Sequence, residues 1–338
     1  KSGTTEFTEE NAVLVTETDS EGKFRFENIR FGKWIVRELV PATGYVLNET
    51  PIDVNIQTEG EIIKISFENK FIRSDIRGYK VDEDGKPVEG ALFGLFIETD
   101  TEFTEENAVL TAKSDADGIF FFDDIRFGKW IVKELAPAEG FVANDSVFPI
   151  DVTSDGAVIE IEAENRHIYG MVHTTKVDKD YPDNLLAGAI FEIYMDLDGN
   201  KEFNADVDTL VGEMVEYEPG LYELENLRYG GYFLYEKQAP ANYIKDDAYH
   251  YFAIVNDGEM VEVENKAGIG FINNHMVGNL KIVKSSSDGR LEGFSFRIIG
   301  ENYDEIFKTD ANGEIYIEGL RIGKYTVAEV ENEVSSGY

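Results

Sequence analysis

Hydrophobic and polar residues alternate along this chain in short runs. In "EIIKISFEN", residues 61–69, Ile63, Ile65 and Phe67 fall on one side of an extended chain and Lys64, Ser66 and Glu68 on the other, the period of two that a half-buried strand requires. Between such runs lie "DSEGK", "DEDGKP", "DADG", "SDG" and "DANG", whose Asp, Ser and Gly residues suit tight turns. No segment keeps a helical period over any length. The pattern predicts an all-β chain of antiparallel immunoglobulin-like sandwiches, about 100 residues each.

The runs repeat. "RFGKWIVREL" from Arg30 returns as "RFGKWIVKEL" from Arg126, and "TEFTEENAVL" from Thr5 returns from Thr101, both 96 residues on. A spacing this long marks whole domains, not solenoid turns. Diverged copies contain "RYGGYFLYEKQAPANY" from Arg228 and "RIGKYTVAEV" from Arg321. Four repeats follow: 1–72, 73–168, 169–275 with insertions, and 276–338. The first is expected to lack its front and the fourth its back, as if cut from a longer polypeptide. Short linkers such as "IRSDIRG" and "HMVGN" imply tandem domains arranged as an elongated rod.

Composition narrows the function. The 338 residues are 42% hydrophobic and 12% aromatic, ample for several packed cores. Asp and Glu number 67 against 31 Lys and Arg, a net charge of -36, which repels nucleic acid and anionic membranes alike. There is no cysteine, so disulfides, thiolate catalysis and Cys-ligated zinc are excluded. No run of about 18 apolar residues occurs, so no direct membrane insertion is expected.

The alternation places three kinds of polar residue on apolar faces. Glu38 shares a strand face with Trp34 and Val36, and each of its counterparts Glu134, Glu236 and Glu329 stands four residues beyond an aromatic. Lys80 lies on the side of Ile76; Lys176 shares a face with Val172 and Thr174, and Lys284 with Leu280 and Ile282. Asn69 aligns with Ile63, Ile65 and Phe67, and Asn165 with Ile159, Ile161 and Ala163. In the third repeat Asn265 and Asn273 compete. Asn69 precedes Lys80 by 11 residues and Asn165 precedes Lys176 by 11, a spacing that selects Asn273 before Lys284, with Asn265 as the alternative.

Burying a Lys, a Glu and an Asn separately would cost several kcal/mol, so they are expected to meet. Burial lowers the pKa of a lysine and raises that of a carboxyl. A neutral amine beside a protonated carboxyl and an amide is a reactive set, because the acid polarises the amide carbonyl while the amine attacks it.

"KVDEDGKPVEGALFGLF" from Lys80, "WIVKELAPAEGF" from Trp130 and "EAEN" ending at Asn165 resemble the Cna B-type, SpaA-like pilin and adhesin domains of Gram-positive surface proteins, over nearly the whole chain. The resemblance implies an inverse immunoglobulin-like, prealbumin-like sandwich. It also implies spontaneous Lys to Asn isopeptide bonds, with Glu as catalyst and ammonia as leaving group: Lys80, Glu134 and Asn165 in repeat 2, and Lys176, Glu236 and Asn273 in repeat 3. Glu38 and Asn69 have no lysine within this sequence, and Lys284 and Glu329 no asparagine. By analogy with a disulfide, closing loops of 85 residues (80 to 165) and 97 residues (176 to 273) would each stabilise by about 4 to 5 kcal/mol.

"MDLDGNKEFNADVD" sets Asp196, Asp198, Asn200 and Glu202 at alternating positions, an oxygen-rich opening like that of an EF-hand, with Asp206 or Asp208 to complete a calcium cage. Position twelve is Val207 instead of glutamate, and an acidic turn is the competing reading. No other cofactor is required. His167, His173, His250 and His275 lack metal spacing, and "DYPDN" carries an aspartate where a sortase pilin motif has its lysine. The reading is a stalk fragment of a cell-wall-associated extracellular adhesin or pilus protein of a Gram-positive bacterium. Its only chemistry is single-turnover and internal, so it is not an enzyme, and its partners are neighbouring domains of the same longer chain. The alternatives are an adhesin region that binds a host extracellular ligand, with repeat 3 as the binder, and a polysaccharide hydrolase with paired carboxylates.

Overall fold

The computed structural model of the chain describes residues 6–336, and among them no helix forms. It divides into two compact units, Lys1–His167 and Ile168–Tyr338. Each unit holds two repeats.

In repeat 1, strands β1 (Gly32–Val36) and β2 (Ile52–Ile56) form an antiparallel pair. The segment 61–69 keeps its alternation, with Ile65, Phe67 and Asn69 less exposed than their neighbours, yet it joins no ladder. This differs from the strand expected there, and repeat 2 supplies the physical reason. The equivalent segment pairs in parallel with the first strand of its own repeat, and no such strand of repeat 1 lies among the described residues. A strand without a partner leaves its backbone groups to water.

Repeat 2 is a complete sandwich. Strands β3 (Arg73–Asp82), β6 (Ile119–Arg126) and β9 (Ala157–Asn165) make one sheet in the order β6-β3-β9. The other, β5-β4-β7-β8, comprises β4 (Leu92–Ile97), β5 (Leu110–Lys113), β7 (Gly128–Ala136) and β8 (Val147–Val152). Ile76, Phe93, Leu95, Phe120, Phe122, Val132, Ile150 and Ala163 form the core between them. Along β3 every second residue is buried, which puts Lys80 on the core face with Ile76. Gly78 is required in that row, because a Cβ there would fall 1.9 Å from the ring of Phe120, which stacks on Phe93 at 3.8 Å between centroids. First strand β3 and last strand β9 run parallel, with Lys80 opposite Ala163 and Asp82 opposite Asn165.

Repeat 3 repeats the plan in β10 (Tyr169–Asp178), β11 (Ile190–Met195), β12 (Thr209–Glu213), β13 (Val215–Glu218), β14 (Leu221–Arg228), β15 (Gly230–Gln238), β16 (Tyr243–Ile244), β17 (Tyr249–Ile254), β18 (Met260–Glu262) and β19 (Phe271–His275). Its last strand is broken in two. Both β18 and β19 pair in parallel with β10, setting Met171 opposite Met260 and Lys176 opposite Phe271. Asn265 pins the excursion between them, accepting from the Ile272 N–H at 2.7 Å and donating to the Ile272 carbonyl at 2.9 Å.

Repeat 4 contributes β20 (Val277–Val283), β21 (Ser295–Gly300), β22 (Tyr303–Lys308), β23 (Glu314–Arg321) and β24 (Thr326–Val330). Its core is smaller, centred on Ile298, Ile315, Ile317 and Leu320.

Candidate functional site

Each lysine is held at its backbone before its side chain does anything. The Lys80 N–H donates to the Gly118 carbonyl at 2.7 Å, and Val88 donates to the Lys80 carbonyl at 2.9 Å. Gly118 closes the "DADG" turn at φ +73°, and a Cβ there would come within 2.3 Å of the Lys80 carbonyl oxygen, so only glycine fits. Lys176 and Lys284 donate in the same way to Gly220 and Gly313, each at 2.8 Å. Sequence reasoning identified Gly118 and Gly313 as turn residues, passed over Gly220, and missed that all three seat the lysines.

In repeat 2 the Lys80 side chain is fully buried. Its Nζ donates to the carbonyls of Ala163 at 3.0 Å and Val81 at 3.2 Å, and lies 4.0 Å from Glu134 Oε1. Glu134, on β7 of the opposite sheet, accepts from Asn165 Nδ2 at 3.0 and 3.1 Å and from the Asn144 N–H at 2.7 Å. Repeat 3 rebuilds this arrangement. Lys176 Nζ donates to the Phe271 carbonyl at 2.8 Å and lies 3.8 Å from Glu236 Oε1. Glu236 Oε2 accepts from Asn273 Nδ2 at 2.7 Å and from the Asp246 N–H at 2.8 Å. All six side chains are buried. Asn265 instead bonds to Asp246 and Ile272, so Asn273 is the asparagine placed with Lys176 and Glu236.

Burial lowers the pKa of the Lys80 amine, opposed by the charges of Glu134, Glu164 and Asp82. It draws Lys176 down to about 8 against Glu236, Asp246 and Asp178. Both lysines are thereby moved toward the neutral, nucleophilic amine. Among the described residues four buried side-chain polar atoms lack a hydrogen-bond partner, and three belong to these centres: Asn165 Oδ1, Glu236 Oε1 and Asn273 Oδ1. Buried orphans are rare in folded proteins and call for a reason.

Repeats 1 and 4 hold halves of the same arrangement. In repeat 1, Asn69 Nδ2 donates to Glu38 Oε2 at 2.6 Å and to the Val46 carbonyl at 3.0 Å. In repeat 4, Lys284 Nζ donates to Glu329 Oε2 at 2.7 Å. That pair is only partly covered, with 18% and 35% of the two side chains exposed, because no last strand lies beside β20 among the described residues. The inward face expected for Glu329 is therefore only partly formed.

Of the residues considered for calcium, Asp196, Asp198 and Asp208 bring carboxylate oxygens within 4.8 Å of one another. Asn200 touches Asp198 through its Nδ2 at 2.9 Å, whereas Glu202 and Asp206 are not in the group. The carboxylates also organise the loop: Asp196 accepts from the N–H groups of Gly199 and Lys201, and Asp208 from those of Leu197 and Asn204.

Comparison with known families finds the SpaA prealbumin-like fold domain four times, over residues 3–71, 74–167, 170–267 and 278–338. Comparison with curated proteins returns no match. Among solved structures, the Bacillus anthracis TIE protein matches with a TM-score of 0.61 at 24% identity, over 85% of this chain and 49% of that one. The chain thus spans about half the length of that relative. BcpA, the major pilin subunit of Bacillus cereus, matches with a TM-score of 0.37 at 15% identity, over 78% of this chain and 91% of that one. A streptococcal ancillary pilin matches with a TM-score of 0.29 at 23% identity, over 73% and 76%. No helix among the described residues is long and apolar enough to cross a membrane. The four family matches together cover nearly all of the sequence, and the chain belongs to the SpaA prealbumin-like fold domain family.

Proposed function

We propose that this chain is a load-bearing segment of an extracellular, cell-wall-associated stalk or pilus, whose complete repeats are strapped by isopeptide bonds from Lys80 to Asn165 and from Lys176 to Asn273. The observation that carries the reading is the twice-built convergence of a buried lysine with lowered pKa, a buried glutamate and a buried asparagine with an orphaned Oδ1.

Each asparagine turns its Nδ2 to the glutamate. A half-turn of the amide exchanges its two ends and gives Oδ1 a protonated carboxyl as donor, which removes the orphan and polarises Cγ. The neutral Nζ attacks Cγ, and the Nζ–Cγ bond forms as the Cγ–Nδ2 bond breaks. Glutamate carries a proton from Nζ to Nδ2, which departs as ammonia. Charge is conserved, and no cofactor enters.

The position of the strap suits tension. Load entering at Arg73 runs eight residues along β3 to Lys80, crosses to Asn165 at the end of β9 and leaves. Residues 81–164 lie outside the load path. The test is a tryptic digest of the purified chain: fragment spectra should contain branched peptides joining Lys80 to Asn165 and Lys176 to Asn273. Linear peptides alone would contradict the proposal, and a branch at Asn265 would reassign the acceptor.

A further inference from the structure

In every repeat the aromatic four residues beyond the arginine closes the same hydrogen bond onto the arginine carbonyl. Trp34 Nε1 donates to the Arg30 carbonyl at 2.9 Å, Trp130 Nε1 to Arg126 at 2.9 Å, Tyr232 OH to Arg228 at 2.7 Å and Tyr325 OH to Arg321 at 2.9 Å. The glycine between them stands at φ +129°, +138° and +148° in the first three, a region closed to other residues. The aromatic is thus a brace for a hairpin tip. The tip points its next N–H outward.

In three places that N–H meets a linker between repeats. Phe127 donates to the Ile72 carbonyl at 2.9 Å, Tyr229 to Ile168 at 3.0 Å and Ile322 to Met276 at 2.9 Å. The receiving linker is itself fixed by its own repeat, since Ile72 donates to the Gly44 carbonyl at 2.9 Å and Met276 to the Asn242 carbonyl at 2.8 Å. At the first joint, Arg126 lies 4.6 Å over the ring of Phe71, which stacks on Tyr45, and the Phe127 ring rests on Gly44. At the joint between repeats 3 and 4, Arg321 reaches back to Asp180 at 2.6 Å and Asp178 at 3.7 Å, and over Tyr181 at 5.0 Å. Asp178 is held in place by His275 at 2.8 Å and Tyr243 at 2.9 Å. The guanidinium supplies the cation that this carboxylate and histidine group would otherwise attract.

We propose that the Arg-x-Gly-x-Trp/Tyr tip is a docking element whose partner is the C-terminal linker of a like repeat, and that it fixes the angle between repeats 1 and 2 and between repeats 3 and 4. In repeat 1 the same braced tip leaves Phe31 67% exposed, where its equivalent Phe127 packs on Gly44. The inference stands apart from the isopeptide reading, since no residue of the Lys, Glu and Asn centres takes part.

The lack of cysteine permits a direct test by paired spin labels, at Thr209→Cys on β12 of repeat 3 and Glu305→Cys on β22 of repeat 4. The labelled parent should give a narrow distance distribution. Arg321→Ala should lose that narrowness, and so should Asp180→Asn, which alters only the receiving surface and leaves repeat 4 as it is. A broad parent distribution would overturn the proposal. So would variants as narrow as the parent. If Arg321→Ala loses the circular-dichroism signal of repeat 4, Asp180→Asn alone decides.

Discussion

Lys80 and Lys176 carry the account at the scale of the residue, because a buried lysine is costly unless its surroundings use it. The proposed use is attack on an amide, and the lowered amine pKa gives it a measurable signature. In Asn273→Ala the strap cannot close, so Lys176 keeps an amine that titrates near 10.5 when unfolded and near 8 when folded. Between those values the unfolded chain binds more protons, so stability should rise with pH across this window, by about 3 kcal/mol in all, and level off below it. The closed wild-type centre has no amine and should lack the rise. Denaturation midpoints from pH 7 to 11, with Lys176→Met/Asn273→Ala as the reference, measure this; a rise of equal size in the wild-type protein would mean that its amine is still free. Glu134→Ala should leave Lys80 and Asn165 unjoined and cost repeat 2 about 4 kcal/mol, which lowers its melting point by on the order of 20 °C. Calorimetry of that variant reads the loss, and an unshifted transition would contradict the assigned role.

At the scale of the element, alternation was enough to place Lys80 beside Ile76 and Glu134 beside Val132, since period two is a local property of the chain. It could not supply what depends on a neighbour. Segment 61–69 has the same alternation as β9 and no ladder, because a strand exists only with its partner. The interruption between β18 and β19 was hidden as well: nothing local tells that the chain leaves β10 after Glu262 and returns at Phe271, and the 11-residue spacing found Asn273 without explaining it. The brace from Trp130 to the Arg126 carbonyl escaped for a different reason, as an indole on an apolar face reads as core. The loop 196–208 poses an open test at this scale. Backbone N–H groups already engage Asp196 and Asp208, yet each carboxylate keeps further lone pairs, and the two converge with Asp198. Calcium should therefore raise the melting temperature of repeat 3 relative to chelator. Superimposable thermograms would reduce the loop to an acidic turn.

At the scale of the whole molecule, the proposed stalk role expects four tandem domains with a net charge of -36 to repel one another. Small-angle scattering at moderate salt should give an elongated particle, and a compact globule would contradict the stalk reading. Strapped repeats should also refuse to lengthen. Pulled from its ends, repeat 2 would release roughly 300 Å of chain if the 85 residues from 80 to 165 were free to extend, and none while the bond holds. Single-molecule traces of wild-type protein should lack that step, and Glu134→Ala should restore it. The most direct measurement is the intact mass of the purified, unlabelled chain. Each bond expels one ammonia, so the account predicts a mass two ammonias below that of the sequence, and one ammonia below it in Glu134→Ala. A wild-type mass equal to that of the unmodified sequence would contradict the central claim.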